Sequence, residues 1–346
     1  METVRVYFAT NRNHQPENVK LVFGPRFNPD GVAALRYGHV DFAPGVETLQ
    51  GAQVDVYEDA LGPEPDPAKG GARMLEALRQ GMCDQKQDTL VFIHGFNVTF
   101  NGAIEAGLRL ARKIQIREPD GATRPVNVVV FSWPSDGAVV PYMSYYSDRE
   151  DARASGPALA RAYLKFRDFL AQLPVEQRCG RRVHLLAHSM GAYVLRQGVQ
   201  AILSKEADGL VRLFDQILLA APDEDDDTFE LDSKLKPLPR IGRQVTIYFN
   251  PSDLALITSD KTKGNPDRLG SDGPRLIDLL PKKVVLVDCR NVARDADMLV
   301  GHSYYTRSIA MTSDIAAVLE GMDPEVIGNR AYVQALRAWR IAKELT

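Results

Sequence analysis

Short apolar runs separated by polar punctuation mark out the first part of the chain. Residues 4–9 read as a strand. Asn11, Arg12 and Asn13 then open a polar loop to about residue 32, and 35–42 and 54–57 are further strands. The Pro- and Gly-rich stretch 61–71 predicts a surface loop, or the seam of an N-terminal extension, and 72–82 reads as a helix. From residue 89 the pattern becomes an alternation of strand and helix. Residues 89–94 are a continuous apolar run of the kind buried on both faces, and 101–116 carries Ile104, Leu108 and Ala111 at helical spacing. A strand at 126–132 and a long amphipathic helix at 152–173, ended near Pro174, come next. The strand 183–187 follows with its helix to about 203, then strands at 213–221, 245–249 and 284–288, and terminal helices at 305–320 and 331–345.

This alternation predicts an α/β protein with a mostly parallel central sheet and helices on both faces. The chain of 346 residues reads as a single domain: N-terminal strands and a loop extension at 1–71, a core at 72–320, and a helical tail at 321–346. Hydrophobic residues make up 45% and charged residues 25%, a soluble globular balance, and the net charge of -3 gives no reason to expect nucleic acid as a partner. No apolar run approaches the ~20 residues of a membrane span, and the first residues carry no signal-peptide pattern. Three widely spaced cysteines (Cys83, Cys179, Cys289) argue against a disulfide framework and against zinc, so a cytoplasmic protein is the simplest expectation. The acidic run 223–227 lacks the spacing of a calcium loop and reads as a solvated loop or helix N-terminus.

The chemistry centres on residues 183–196. A short apolar strand meets His188, Ser189, Met190 and Gly191, and a helical stretch follows. Strand, tight turn and helix around a serine with small residues two positions away on each side is the nucleophile elbow of α/β-hydrolases, with Ala187 in place of the more usual glycine. A serine needs a base, and the base needs an acid to hold its tautomer; in this fold they follow in the order Ser, acid, His. Of the six histidines only His302 lies after Ser189, so His302 is the expected base. Asp253 is the expected acid, because it sits in the turn after the penultimate strand, where catalytic groups of parallel sheets gather. Asp223, after the preceding strand, and Asp288 are the alternatives. The oxyanion donors are expected to be the amides of Met190 and of Phe96, the latter just past the strand end at His94-Gly95. His94 and His188 read as structural.

These residues resemble the α/β-hydrolases of the largely bacterial group known as a domain of unknown function, DUF900. The resemblance rests on residues 6–12, 92–100, 131–135, 187–191, 219–223, 253–256, 268–270 and 301–305, in order along nearly the whole chain. It implies a serine-hydrolase fold with the triad on Ser189, Asp253 and His302, and esterase-like activity on an unspecified substrate. The acidic 224–227 and the tail beyond about 322 stand apart from it.

Substrate clues lie in 133–150, where Trp133, Tyr142, Met143, Tyr145 and Tyr146 could wall an apolar acyl or aryl group, although such aromatics are equally often core residues. Residues 223–240 or 257–275 could form a cap. The expectation is a hydrolase of small or medium carboxylic esters, needing no metal or organic cofactor, with a small-molecule ester as partner. Thioester or amide cleavage, or acyl transfer, would use the same groups; a non-catalytic binding protein of this fold is the reading from another class. Tyr332, Leu336, Trp339 and Ile341 are expected to pack one face of the last helix on its own domain.

Overall fold

The computed structural model describes residues 2–18, 22–58, 66, 68–118, 121–135, 141–256, 267–292 and 302–342, with the backbone alone for 141–144. In chain order, β1 (Val4–Thr10), β2 (Arg12–His14), β3 (Phe23–Phe27), β4 (Arg36–Phe42) and β5 (Gln53–Val56) precede α1 (Gly70–Gln85). β6 (Thr89–Ile93) leads to α2 (Phe100–Lys113), then β7 (Gln115–Arg117), β8 (Thr123–Pro125) and β9 (Asn127–Ser132). α3 (Pro141–Ala154), α4 (Gly156–Gln172), β10 (Val183–His188), α5 (Gly191–Lys205), β11 (Phe214–Ala220) and β12 (Gly242–Phe249) follow. The chain continues through α6 (Leu269–Asp272), β13 (Val284–Asp288), α7 (Tyr304–Arg307), α8 (Ile309–Leu319), β14 (Arg330–Val333) and β15 (Ala338–Ile341).

Eleven strands form one sheet in the order β14-β15-β13-β12-β11-β10-β6-β9-β1-β4-β5. Pairing is parallel from β1 through β9, β6, β10, β11, β12 and β13 to β15, and only the flanking pairs β1–β4, β4–β5 and β14–β15 are antiparallel. Alternate side chains of each strand go to opposite faces. Leu185 and Ala187 join a core with α1, α4 and α5, whereas Leu186 joins a second core with α2 and α8. Both faces are therefore covered, which is why the central strands read as unbroken apolar runs. The carboxyl ends of β6, β10, β11 and β12 lie side by side, and the loops leaving them carry Gly95, Ser189, Asp223 and Asp253. No helix among the described residues is long and apolar enough to cross a membrane.

Three sequence expectations give way. The helix expected over 152–173 is two, α3 and α4, broken at Ser155. Gly156 passes so close to α5 that a Cβ would sit 2.7 Å from the Gln197 Cβ, and the Ser155 hydroxyl donates to the Asp151 carbonyl at 2.8 Å. The polar loop after residue 11 contains the small β2–β3 hairpin, and Arg12 in it is buried. The tail at 331–345 is not helical: β14 and β15 form a hairpin that extends the sheet beside β13, with Arg337 in the left-handed turn. The spacing of Tyr332 and Trp339 fits a helix face, but they meet instead as a cross-strand pair with ring centroids 5.1 Å apart.

Candidate active site

Ser189 sits between β10 and α5 with φ at +52°, in the left-handed region that costs a non-glycine residue about 1–3 kcal/mol when the fold imposes it. The surroundings impose it through hydrogen bonds on both sides of the residue. Its N–H donates to the Ala220 carbonyl at 3.0 Å, and its carbonyl accepts from Ala192 at 3.0 Å and from Asp223 at 3.1 Å. The small-residue requirement has a visible cause. A Cβ on Gly191 would lie 2.5 Å from the Ile93 carbonyl oxygen, and one on Gly95 would lie 2.8 Å from the Ser189 Cβ. Ala187, fully buried in β10, fits with its methyl.

The acid and the base expected from the sequence meet. His302 Nδ1 lies 2.7 Å from Asp253 Oδ2, and the Asp253 side chain is fully buried. Its other oxygen accepts from the Ala255 and Leu256 amides at 3.0 and 3.2 Å, which fixes the carboxylate plane. The turn itself is set by Asn250, whose side-chain oxygen accepts from the Ser252 amide at 3.0 Å. An ionised carboxylate can only accept, so the bonded Nδ1 carries the proton and Nε2 is left as the basic nitrogen. Among the described residues no hydrogen bond reaches the Ser189 hydroxyl; serine–histidine bonds of this kind are often long before substrate arrives. His302 is nevertheless tied to the elbow. His188, the residue before Ser189, donates from Nε2 to the His302 carbonyl at 3.2 Å, and the two rings lie 4.7 Å apart. Burial, reinforced by His302, pushes the His188 imidazole well below its ordinary range, so it remains a neutral donor stacked on Tyr305.

Phe96 and Met190 flank this point. Gly95 brings the β6 loop against the elbow, and among the described residues neither the Phe96 nor the Met190 amide is engaged by a carbonyl. The loop is braced from beyond it: Asn97, at φ +57°, donates its amide to the buried Asp148 of α3 at 3.1 Å, and the Val98 amide donates to the Ser135 hydroxyl at 3.1 Å. Ser135 in turn donates to Asp148. Arg12, only 1% exposed, bonds the Val98 carbonyl at 2.7 Å, the Ser132 hydroxyl at 2.9 Å and the Ser135 carbonyl at 3.3 Å. Arg12 and Asp148 thus carry structural duties that sequence reasoning missed. Arg12 lies in a stretch that marked the resemblance, but it reads there as loop punctuation.

The other expected residues divide. Trp133 is fully enclosed, its indole stacked on His94 with centroids 5.2 Å apart and its N–H donated to the His94 carbonyl at 2.9 Å. It supports the rim from beneath and is not brought to a substrate wall. His94 accepts the Trp133 amide at 3.2 Å, and burial, then the Arg12 guanidinium, lowers it to about 3, so it stays neutral. Tyr145 stands 5.6 Å from the Phe96 ring, with the half-exposed Tyr146 behind it at 6.1 Å. The side chains of Tyr142 and Met143 lie outside the described residues, as does 257–266 of the expected cap. Asp288 binds Arg340 and Arg290 at 2.9 and 2.8 Å, fastening β15 to β13.

The acidic run is not a solvated loop. Asp223 accepts from the Tyr145 hydroxyl at 2.5 Å and pairs with the buried Arg268 at 3.4 Å. Burial, then the Asp223 charge, raises the Tyr145 phenol, which keeps it a donor. The fully buried Glu224 pairs with Arg196 at 2.9 Å, and Asp225 bridges Arg268 and Lys234 at 2.7 and 2.8 Å. Arg196 and Arg268, distant in sequence, and Lys234 thus pair with carboxylates of the run. Among the described residues no group of three His, Cys, Asp or Glu side chains is placed to hold a metal ion.

Residues 73–322 match the family described as "Alpha/beta hydrolase of unknown function (DUF900)". An uncharacterised protein of Nostoc sp. is 26% identical over 133 residues, 34% of this chain and 32% of that protein, so the chain spans about a third of that relative's length. Two solved structures are similar at low identity. A candidate cell surface hydrolase of Lactobacillus plantarum is 13% identical, covering 68% of this chain and 93% of that one at a TM-score of 0.35. A lipase-esterase related protein of Clostridium acetobutylicum is 15% identical, covering 64% and 80% at a TM-score of 0.22.

Proposed function

Because the chain belongs to the DUF900 family of alpha/beta hydrolases, we propose that it is a serine hydrolase cleaving carboxylic esters of small or medium size through an acyl-enzyme on Ser189. The observation that carries this reading is the buried Asp253 carboxylate, 2.7 Å from the one histidine that follows the elbow serine in the chain.

In this mechanism His302 Nε2 takes the Ser189 hydroxyl proton as Oγ bonds to the ester carbonyl carbon. The carbonyl electron pair moves to oxygen, where the Phe96 and Met190 amides stabilise it; losing one such donor typically costs about 3 kcal/mol of barrier. As the intermediate collapses, the bond to the alcohol oxygen breaks and the imidazolium returns its proton to that oxygen. Water then attacks the acyl-enzyme, His302 taking a proton from it, and the second collapse releases the carboxylic acid and restores the serine. Asp253 stays ionised and holds the imidazolium. Arg12, Asp148 and Ser135 position the Phe96 loop. The rings of Phe96, Tyr145 and Tyr146 offer an apolar side for the acyl or alcohol group.

The test is a fluorophosphonate probe followed by p-nitrophenyl esters of graded acyl length, set against a thioester and an anilide. Stoichiometric labelling at Ser189, absent in Ser189→Ala, with turnover greatest on an ester, is the expected result. A folded protein that takes no label would be a ligand-binding member of the fold instead. Faster turnover of the thioester or anilide would keep the mechanism and change the substrate class.

A further inference from the structure

At the opposite end of the sheet from Ser189, where β10, β11 and β12 begin, two cavities adjoin. The outer one, about 470 Å³, opens among α1, α4 and the segments that enter the three strands. The inner one, about 100 Å³, lies between the sheet and α1, α4 and α5. Leu75, Leu78, Phe166, Val183 and Phe214 line both, so the two share an apolar wall. The inner cavity is lined almost wholly by carbon. Among the described residues its one cationic neighbour is Lys165, which places its ammonium 5.9 Å over the Tyr37 ring.

The outer cavity combines an apolar floor with six arginines: Arg79, Arg178, Arg181, Arg182, Arg212 and Arg243. Four are held by carboxylates. Arg79 pairs with Glu76 at 2.5 Å, Arg181 with Glu118 at 2.8 Å and Arg243 with Asp215 at 2.7 Å, while Arg182 lies 3.9 Å from Asp88. Arg178 and Arg212 have no carboxylate partner among the described residues, and both are exposed. In a chain of net charge -3 this end of the sheet therefore carries two surplus guanidinium groups over a greasy pocket. Guanidinium pairs with carboxylate through two parallel N–H···O bonds. Small-molecule sites typically measure roughly 300–1,000 Å³, and an apolar cavity of roughly 150 Å³ takes up a benzene-sized group. The outer cavity thus has room for one chain, and the inner one for the end of that chain.

We propose that this pocket binds a single-chain, medium-length fatty carboxylate, with its head on Arg178 and Arg212 and its tail passing Leu75 and Leu78 into the inner cavity. The site is independent of the chemistry proposed for Ser189. An elongated nucleic-acid strand would meet the same arginines but leave the inner cavity unfilled, which favours the amphiphile.

Calorimetric titration of the full chain with octanoate, decanoate and dodecanoate tests this, with decanol, inorganic phosphate and a single-stranded oligonucleotide as comparisons. The expected result is one decanoate per chain, bound more weakly as salt is raised. Decanol and phosphate should each bind at least tenfold more weakly. Affinity should fall tenfold or more in Arg178→Ala/Arg212→Ala with p-nitrophenyl ester turnover unchanged. Undiminished decanoate binding in that variant would place the ligand elsewhere and overturn the proposal. So would decanol binding as well as decanoate, or an oligonucleotide displacing it at equal concentration. Leu78→Trp, which adds bulk to the wall the two cavities share, provides a second reading: the chain length bound best should shorten, and an unchanged preference would overturn the route into the inner cavity.

Discussion

Asp253 and Asp223 both follow strands at the rim of the sheet, yet their surroundings give them different work. Asp253 offers one oxygen to His302 at 2.7 Å and the other to two backbone amides, whereas Asp223 accepts from the Tyr145 hydroxyl and faces Arg268. Asp253→Asn should therefore lose about 10⁴ in kcat while remaining folded, because the amide would favour the wrong imidazole tautomer. Asp223→Asn should keep most of its turnover; p-nitrophenyl acetate kinetics on both variants would reverse the assignment if the losses were exchanged. Gly95→Ala makes a related point about placement. Its new methyl would stand 2.8 Å from the Ser189 Cβ, and a displacement near 1 Å typically costs about 10² in rate. The expected outcome is a fall in kcat with circular dichroism unchanged; a wild-type kcat would mean that the elbow and the Phe96 loop are not held in register. At this scale the strained turn at Ser189 and the meeting of His302 with Asp253 were legible in the sequence, since chain order left one histidine to choose. The roles of Arg12, Asp148, Arg196 and Arg268 were not, because ion pairs between segments far apart leave no local pattern.

Elements were legible wherever one packing partner dominates. The central strands, buried on both faces, wrote themselves as apolar runs, and α2 as a 3.6-residue repeat. Where tertiary contact overrides local preference the sequence misled. α3 and α4 part at Ser155 because Gly156 must approach Gln197, and the tail turns into β14 and β15 because it completes the sheet beside β13. That hairpin has a specific anchor. Arg330, the first residue of β14, makes two bonds of 2.6 Å to Asp314 of α8, both side chains fully buried, and the Tyr248 hydroxyl donates to the same carboxylate at 2.8 Å. Removing one partner of a buried pair strands the other charge at a cost of roughly 3–5 kcal/mol, whereas an apolar replacement of both is often neutral. Arg330→Ala should lower the unfolding free energy obtained from urea denaturation by that amount, and Arg330→Met with Asp314→Leu should recover much of it. A loss below about 1 kcal/mol in the single variant would show that the hairpin does not depend on this anchor.

Over the whole molecule, two neutral histidines at the heart of an α/β-hydrolase fold couple stability to pH. His94 and His188 lie at the carboxyl ends of β6 and β10; burial lowers both, with Arg12 adding to the effect at His94 and His302 at His188. Below the ordinary imidazole value of 6.5 the unfolded chain takes up protons that the folded chain refuses. Their contribution is thus complete above pH 6.5 and is lost as pH falls, for His94 down to about 3. Each group should remove about 1.4 kcal/mol per pH unit within its window. The buried Glu224 acts with the opposite sign, since burial raises its carboxyl, so the histidine share must be isolated by difference. His188→Asn supplies that difference: it keeps a side-chain N–H for the His302 carbonyl but removes the titration. Denaturant unfolding at pH 7.5, 6.5 and 5.5 should give wild-type and variant nearly parallel stabilities between the first two values. Between the last two the wild type should fall more steeply by about 1 kcal/mol, since the unfolded imidazole is half protonated at the start of that interval. Parallel curves down to pH 5.5 would mean that His188 takes up its proton inside the folded protein, and the neutral donor linking the elbow to the His302 loop would have to be abandoned.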